Sequence, residues 1–250
     1  MLAESALEPA IHLSQQADGI VFLMRVPVYI DSGAQTSPEY HRVWTVENDS
    51  PEHEDVTAYL REKRENISRP GVSIRTIVGE GDRANAILNT AVTRNVDLIV
   101  MASHARSGVS RWLLGSVSGK VIRQAQSPIM LIRQSSEFNH ILITLDGSEL
   151  AERVIELALA LAAGFGSRVT FLQVNDDGGK EDNPAVGATE SGSFAGDETY
   201  LDGILTQHEQ SGLQMDAVTV NGPVANNILS YAAQNGVDLI AMSTNGRSGL

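Results

Sequence analysis

One stretch of this chain is written twice, and that fixes its organisation before any element is assigned. Residues 81–109 align without a gap on residues 222–250, a constant offset of 141. Asn85-Ala86-Ile87-Leu88 falls on Asn226-Asn227-Ile228-Leu229, Val96-Asp97-Leu98-Ile99 on Val237-Asp238-Leu239-Ile240, and Arg106-Ser107-Gly108 on Arg247-Ser248-Gly249. Near the N-terminus Leu2-Ala3-Glu4 falls on Leu150-Ala151-Glu152, an offset of 148. A unit recurring at this length means tandem domains, and a chain of 250 residues holds two of ordinary size. The expected division is 1–135 and 136–250. The first copy has no counterpart of His140 to Ser148. The second stops before any counterpart of Ser110 to Arg133. The first domain is therefore expected to lack its opening strand, and the second its last helix and strand.

Composition narrows the partners. The formal charge is -13 and the isoelectric point about 4.8, with no local Lys/Arg cluster. Such a surface repels a phosphate backbone, which argues against nucleic acid as a partner. Cysteine is absent, which excludes disulfides, thiol catalysis and Cys-based metal sites. Glu4 and Glu8 sit inside a helical pattern, unlike a signal peptide. The longest apolar stretch, Val154 to Phe165, contains Glu156 and is too short to span a bilayer. A cytoplasmic protein without a membrane partner is expected.

The second copy shows the unit most fully. His140 to Leu145 is an apolar run suited to a buried parallel strand. Asp146-Gly147-Ser148 breaks it, with Ser148 as N-cap. Leu150, Val154, Leu157, Ala158 and Leu161 then recur at helical spacing, and Gly164 and Gly166 end that helix. Arg168 to Val174 is a second strand. A polar, Gly-rich loop precedes a helix over about 198–210, a strand over 215–220, a helix over 224–234 and a strand over 237–242. The first copy supplies the end of the unit: a helix opening at Gly115-Ser116 and running to about Gln126, then a strand over Ile129 to Arg133. Alternating strands and helices imply a doubly wound parallel sheet. Asn95 and Gly236 occupy equivalent positions after the third helix, and both residue types accept the left-handed C-cap conformation. The first copy also carries a polar insertion from Pro27 to about Glu54, followed by an exposed amphipathic helix bearing Arg61-Glu62-Lys63-Arg64-Glu65.

Ligands of open parallel sheets bind at the carboxyl ends of the strands, where strand order reverses. Asp146 lies there, directly after the first strand. So does the turn after the fourth, Ser243-Thr244-Asn245-Gly246-Arg247 in one copy and Ala102-Ser103-His104-Ala105-Arg106 in the other. Gly115-Ser116 then opens a helix whose N–H groups and dipole favour an anion. Each residue also has a plainer reading. Ser116 could serve only as an N-cap, Gly115 only the turn, and Arg106 and Arg247 only as solvated surface. His104 has Asn245 as its counterpart and no partner at a recognisable spacing. Asp97 and Asp238 precede the fourth strand, at the opposite end, and read as structural. No catalytic or metal-binding residue is assigned.

These residues resemble the universal stress protein family in its tandem form. The family signature G-x2-G-x9-G-[S/T] after the fourth strand reads Ala102-x2-Ala105-x9-Gly115-Ser116 in the first copy. The second copy reads Ser243-x2-Gly246-Arg247-Ser248-Gly249. Leu145-Asp146-Gly147-Ser148-Glu149-Leu150-Ala151-Glu152 matches the family's opening segment. The resemblance implies two Rossmann-like domains of the adenine nucleotide alpha hydrolase type. It also implies a site for ATP, with Mg²⁺ only alongside the nucleotide. Asp146 and Gly147 would hold the adenosine part, and Ser243, Gly246 and Arg247 would follow toward the phosphates. Gly115 and Ser116 would receive the phosphates in the other copy. Ala102 and Ala105 stand where glycines are expected, so that site is degenerate, since a methyl group blocks close backbone approach. Neither copy has the full set. The expectation is a non-catalytic stress-response protein with an incomplete adenine-nucleotide site; a nucleotide-independent scaffold is the alternative, and a slow ATPase the weakest reading. The resemblance further implies that the strand Ile129 to Ile132 is a pairing edge, hence self-association.

Overall fold

The computed structural model describes residues 2–27, 51–103, 115–133, 137–175 and 198–243. The chain divides into two compact units, Met1–Ser135 and Ser136–Leu250.

Unit 2 runs β5 (His140–Leu145), α5 (Glu149–Glu152), α6 (Ile155–Phe165), β6 (Arg168–Asn175), α7 (Glu198–His208), β7 (Met215–Asn221), α8 (Val224–Gln234) and β8 (Leu239–Ala241). Its strands form one parallel sheet in the order β7-β6-β5-β8. The chain steps outward from β5 to β6 and β7, then returns to the other side of β5. Strand order therefore reverses at β5. Paired on both edges and covered on its faces, β5 is apolar at its centre: Ile141, Leu142 and Ile143 are fully buried, as are Phe171 and Leu172 beside them. Each such side chain contributes about 1.5–3 kcal/mol over leaving it in water.

The amino end of β5 is pinned by polar groups. His140 is buried and satisfied. Its Nδ1 faces the Asn235 carbonyl at 3.2 Å and Nε2 faces the Thr170 hydroxyl at 2.8 Å. A carbonyl only accepts, so Nδ1 donates to Asn235, which in a neutral ring leaves Nε2 to accept from Thr170. Asp238 Oδ2 accepts from the N–H groups of Asn139 at 2.9 Å and His140 at 3.1 Å. Asp238 is thus a structural residue, as its place in the sequence suggests.

Unit 1 runs through a 3-10 turn (Leu2–Ala6), α1 (Leu7–Gln16), β1 (Ile20–Arg25), α2 (Pro51–Ile67), β2 (Ser73–Val78), α3 (Arg83–Thr93), β3 (Ile99–Ala102), α4 (Ser116–Gln124) and β4 (Ile129–Ile132). The order of elements repeats that of unit 2, but the sheet is split. β1 pairs with β2 and β3 with β4, both parallel, as two separate ladders. The counterparts of β1 and β3 in unit 2 are β6 and β8, which flank β5. Among the described residues, no strand of unit 1 joins β1 to β3. The turn Leu2–Ala6 packs against β3 instead. Exposure follows: β6 is buried along most of its length, whereas β1 is half-exposed and opens on Ile20 at 46 %.

Backbone requirements recur between the copies. Asn95 and Gly236 are both left-handed, with φ 48° and 63°. A second pair went unread in the sequence. Asp18 and Gly166, offset by 148, have φ 48° and 70° and end α1 and α6. The same closing bond follows each, Gly19 N–H to Ser14 O and Ser167 N–H to Ala162 O, both at 2.9 Å.

Several expectations need correction. The first helix of unit 2 is two helices, interrupted by a turn at Arg153 and Val154, and Gly164 lies inside α6 rather than ending it. α4 stops at Gln124, where Ala125 is already extended with ψ 140°. β8 is shorter than 237–242. Of the charged run on α2, Arg61, Glu62, Arg64 and Glu65 are exposed, but Lys63 is half-buried and pairs with Glu4 at 3.1 Å. Most of the polar insertion of the first copy and the loop before α7 lie outside the described residues.

Candidate functional site

The carboxyl end of β5 delivers Asp146 to the point where strand order reverses. Gly147 follows with φ 80°, a conformation that favours glycine, and turns the chain back on itself. The turn closes as Asp146 Oδ1 accepts from the Ser148 N–H at 3.0 Å. Ser148 then caps α5, its Oγ accepting from the Ala151 N–H at 3.1 Å. The Ser148 hydroxyl first, and its backbone N–H next, hold the Asp146 carboxyl below the usual Asp range. The result is an exposed, ionised, acceptor-only group at the centre of the sheet's binding edge. It suits the hydroxyls of a sugar.

β8 lies beside β5, with Ala241 in register with Ile143. Ser243, half-buried, follows two residues past that strand, so Asp146, Gly147 and Ser243 share one edge of unit 2. Gly246 and Arg247 lie outside the described residues.

In unit 1, Ala102 closes β3, while Ala105, like His104 and Arg106, lies outside the described residues. Gly115 is the N-cap of α4 and Ser116 its first helical residue, exposed to solvent. Ser116 is therefore not the N-cap. Nor does Gly115 need to be glycine for the turn, since its φ is −57° and an added Cβ would meet only Ser118 Oγ, at 3.5 Å. What the pair presents is an open helix N-terminus.

A repeated side-chain pair escaped the sequence reading. Tyr200 on α7 donates to Glu152 of α5 at 3.0 Å, and Tyr59 on α2 donates to Glu4 at 3.0 Å. The tyrosines are 141 apart and the glutamates 148 apart, the two offsets of the repeat. Matching them across both offsets at once would have found the clasp. Burial first, then Glu152, raises the Tyr200 hydroxyl well above the ordinary Tyr value, and the Asp146 charge adds to this. The clasp of unit 2 thus lies within electrostatic reach of Asp146.

The clasps differ in their surroundings. In unit 1, the Arg25 guanidinium carbon lies 4.1 Å from the Tyr59 ring centre and Lys63 Nζ lies 5.5 Å from it. Lys63 first, then Tyr59, holds the Glu4 carboxyl low, and Glu4 in turn raises Lys63. The counterparts in unit 2 are Gln173 and Ile204, both uncharged and buried. Among the described residues, no three His, Asp or Glu side chains converge as a metal site, and no helix is long and apolar enough to cross a membrane.

Comparison with known proteins identifies the family and the fold. The model of the universal stress protein family matches twice, over residues 2–133 and 137–250. Universal stress protein YxiE of Bacillus subtilis is 28% identical over 137 residues, spanning 53% of this chain and 91% of the relative. Universal stress protein MJ0531 of Methanocaldococcus jannaschii is 29% identical over 129 residues, 52% of this chain and 74% of its own. The crystal structure of a universal stress protein from Archaeoglobus fulgidus superposes with a TM-score of 0.68 at 18% identity, covering 96% of this chain and 82% of that one, which is a likeness of fold. The chain belongs to the universal stress protein family, as two tandem copies of its parallel α/β domain.

Proposed function

We propose that this chain is a cytoplasmic, non-catalytic stress-response protein whose unit 2 keeps the nucleoside end of an adenine-nucleotide site. The observation that carries the reading is Asp146. It is a fully ionised acceptor, fixed by Ser148, at the strand where the sheet order reverses. In this reading the carboxylate accepts from the ribose hydroxyls, the Gly147 turn leaves room for the sugar, and Ser243, Gly246 and Arg247 extend toward the phosphates. Mg²⁺ enters only with the nucleotide. The open helix start at Gly115-Ser116 supplies the phosphate end in unit 1, where Ala102 and Ala105 make the site degenerate.

Thermal unfolding with and without ATP-Mg²⁺ tests this. At 100 times its Kd a ligand adds about 2.7 kcal/mol. The shift should disappear in Asp146→Ala. An equal shift in the variant, or no shift in either protein, refutes the reading. A second reading, a nucleotide-independent scaffold, is favoured for unit 1 by the alanine at 102 and by β4, whose apolar strand pairs with β3 along one edge. Nucleotide turnover lost in Asp146→Ala would instead support a slow ATPase.

A further inference from the structure

Unit 2 buries an amide that the site described so far does not use. Gln173 stands near the carboxyl end of β6, in register with Leu145 on one side and Thr219 on the other. It is 8 % exposed, and its Oε1 has no hydrogen-bond partner. Buried acceptors are nearly always satisfied, because leaving one without a donor forfeits its hydration for nothing. Leu145 immediately precedes Asp146, so the residue bearing the orphaned oxygen lies one strand away from the Asp146 turn.

The repeat indicates where this side chain turns. Gln173 corresponds to Arg25 at the offset of 148, and Arg25 lies over the ring of Tyr59. Tyr59 corresponds to Tyr200, which is bonded to Glu152 and senses Asp146. Gln173 therefore holds the repeat-equivalent position in unit 2, at the corner where β6 runs beside the Asp146 turn. The substitution between copies changes the chemistry of that corner. Arg offers donors only, whereas Gln offers an acceptor.

We propose that Gln173 is a specificity-determining residue: its Oε1 accepts a hydrogen bond from the exocyclic 6-amino group of an adenine base whose sugar is held by Asp146. This rests on the reading of unit 2 as an adenine-nucleotide site. Carboxamide recognition of adenine through its 6-amino group is a common pairing elsewhere. A site built around such a bond rejects the analogue that lacks the donor, because its own buried group is then left unpaired. Unit 1, with Arg25 in the same place, cannot read the base this way.

The test compares ATP with purine riboside 5′-triphosphate, which has the same shape without the 6-amino group. Kd values are measured by calorimetry on the full chain and on Gln173→Leu. Wild type should prefer ATP by about tenfold or more, and the variant by less than threefold. Gln173→Met, closer in shape, repeats the measurement should Leu not fold. The ligand-free melting temperature supplies a second readout. It should stay level or rise in both variants, because an unsatisfied acceptor has been removed. Equal affinity for the two nucleotides in wild type overturns the proposal and leaves the nucleotide site standing. So does a preference that survives in the variants, or a drop of several degrees in their ligand-free melting. Absence of binding by either nucleotide overturns both.

Discussion

Asp97 and Asp238 are the same residue of the repeat, yet they should differ in what their removal costs. Asp238 Oδ2 receives two N–H groups, from Asn139 and His140, at the amino end of β5. Asp97 makes no hydrogen bond among the described residues, where no strand joins β1 to β3. In Asp238→Ala the Asn139 N–H is exposed and rehydrates at little cost. The His140 N–H belongs to a residue 1 % exposed and loses a charged acceptor. Leaving one partly buried donor unpaired, plus the lost charge-assisted bond, gives about 1–3 kcal/mol. For a unit of this size that lowers the melting temperature by about 4 °C per kcal/mol, hence about 4–12 °C. Asp97→Ala should fall within about 0.5 kcal/mol of wild type. Two units need not unfold together, so each requires its own probe. Amide hydrogen exchange read peptide by peptide follows each unit separately. Asp238→Ala should speed exchange in the unit 2 strands and leave that of unit 1 in place. Asp238→Asn, which keeps one neutral acceptor, should recover part of the loss. Equal costs for the two alanine variants would refute the assignment of Asp238 as a brace for β5.

The tyrosine clasps predict an alkaline limb in stability. Tyr59 and Tyr200 are raised in the fold, so their contribution is complete below the unfolded value near pH 10 and is lost as pH climbs above it. Tyr59→Phe with Tyr200→Phe should flatten that limb in urea titrations at pH 9 to 11; an unchanged slope counts against the clasps. Glu4, Asp82 and Asp146 are lowered, so their contribution is complete above about pH 4.5 and is lost on acidification, with Glu4→Gln softening the acid limb. Gly147→Ala forces a side chain to φ 80° and should cost about 1–2 kcal/mol in unit 2 stability, with amide exchange in unit 1 unchanged. Sedimentation velocity should show self-association through β4, abolished by Leu131→Lys; a wild-type monomer at high concentration would contradict it.

Much of this architecture was legible in the residues. The apolar runs at 129–132, 140–145 and 168–174 became strands because buried parallel strands have no polar face to show. Asn95 and Gly236 became left-handed caps because few residues tolerate that conformation. Asp146 stood where its place after the first strand put it. The rest depends on contacts between distant segments. The Tyr–Glu clasps join residues separated by 55 positions in unit 1 and 48 in unit 2. The two insertions differ in length, so one offset cannot align both partners. The break at Arg153 and Val154 carries no Gly or Pro to mark it. The N-cap at Gly115 rather than Ser116 is a shift of one residue, within the usual uncertainty of helix ends. Gln173 read as an ordinary strand residue, since only three-dimensional packing shows that nothing answers its oxygen.

The divided ladder of unit 1 has a thermodynamic consequence. Among the described residues, two pairs of strands have four outer edges where the continuous sheet of unit 2 has two. Two-stranded ribbons are marginal alone, so each half of unit 1 leans on helices for its cohesion. Small fluctuations can then open β1-β2 without disturbing β3-β4, and slow amide exchange will concentrate in β5 and β6. Within one polypeptide, the same design is thus present in a stiff version and a breathing one.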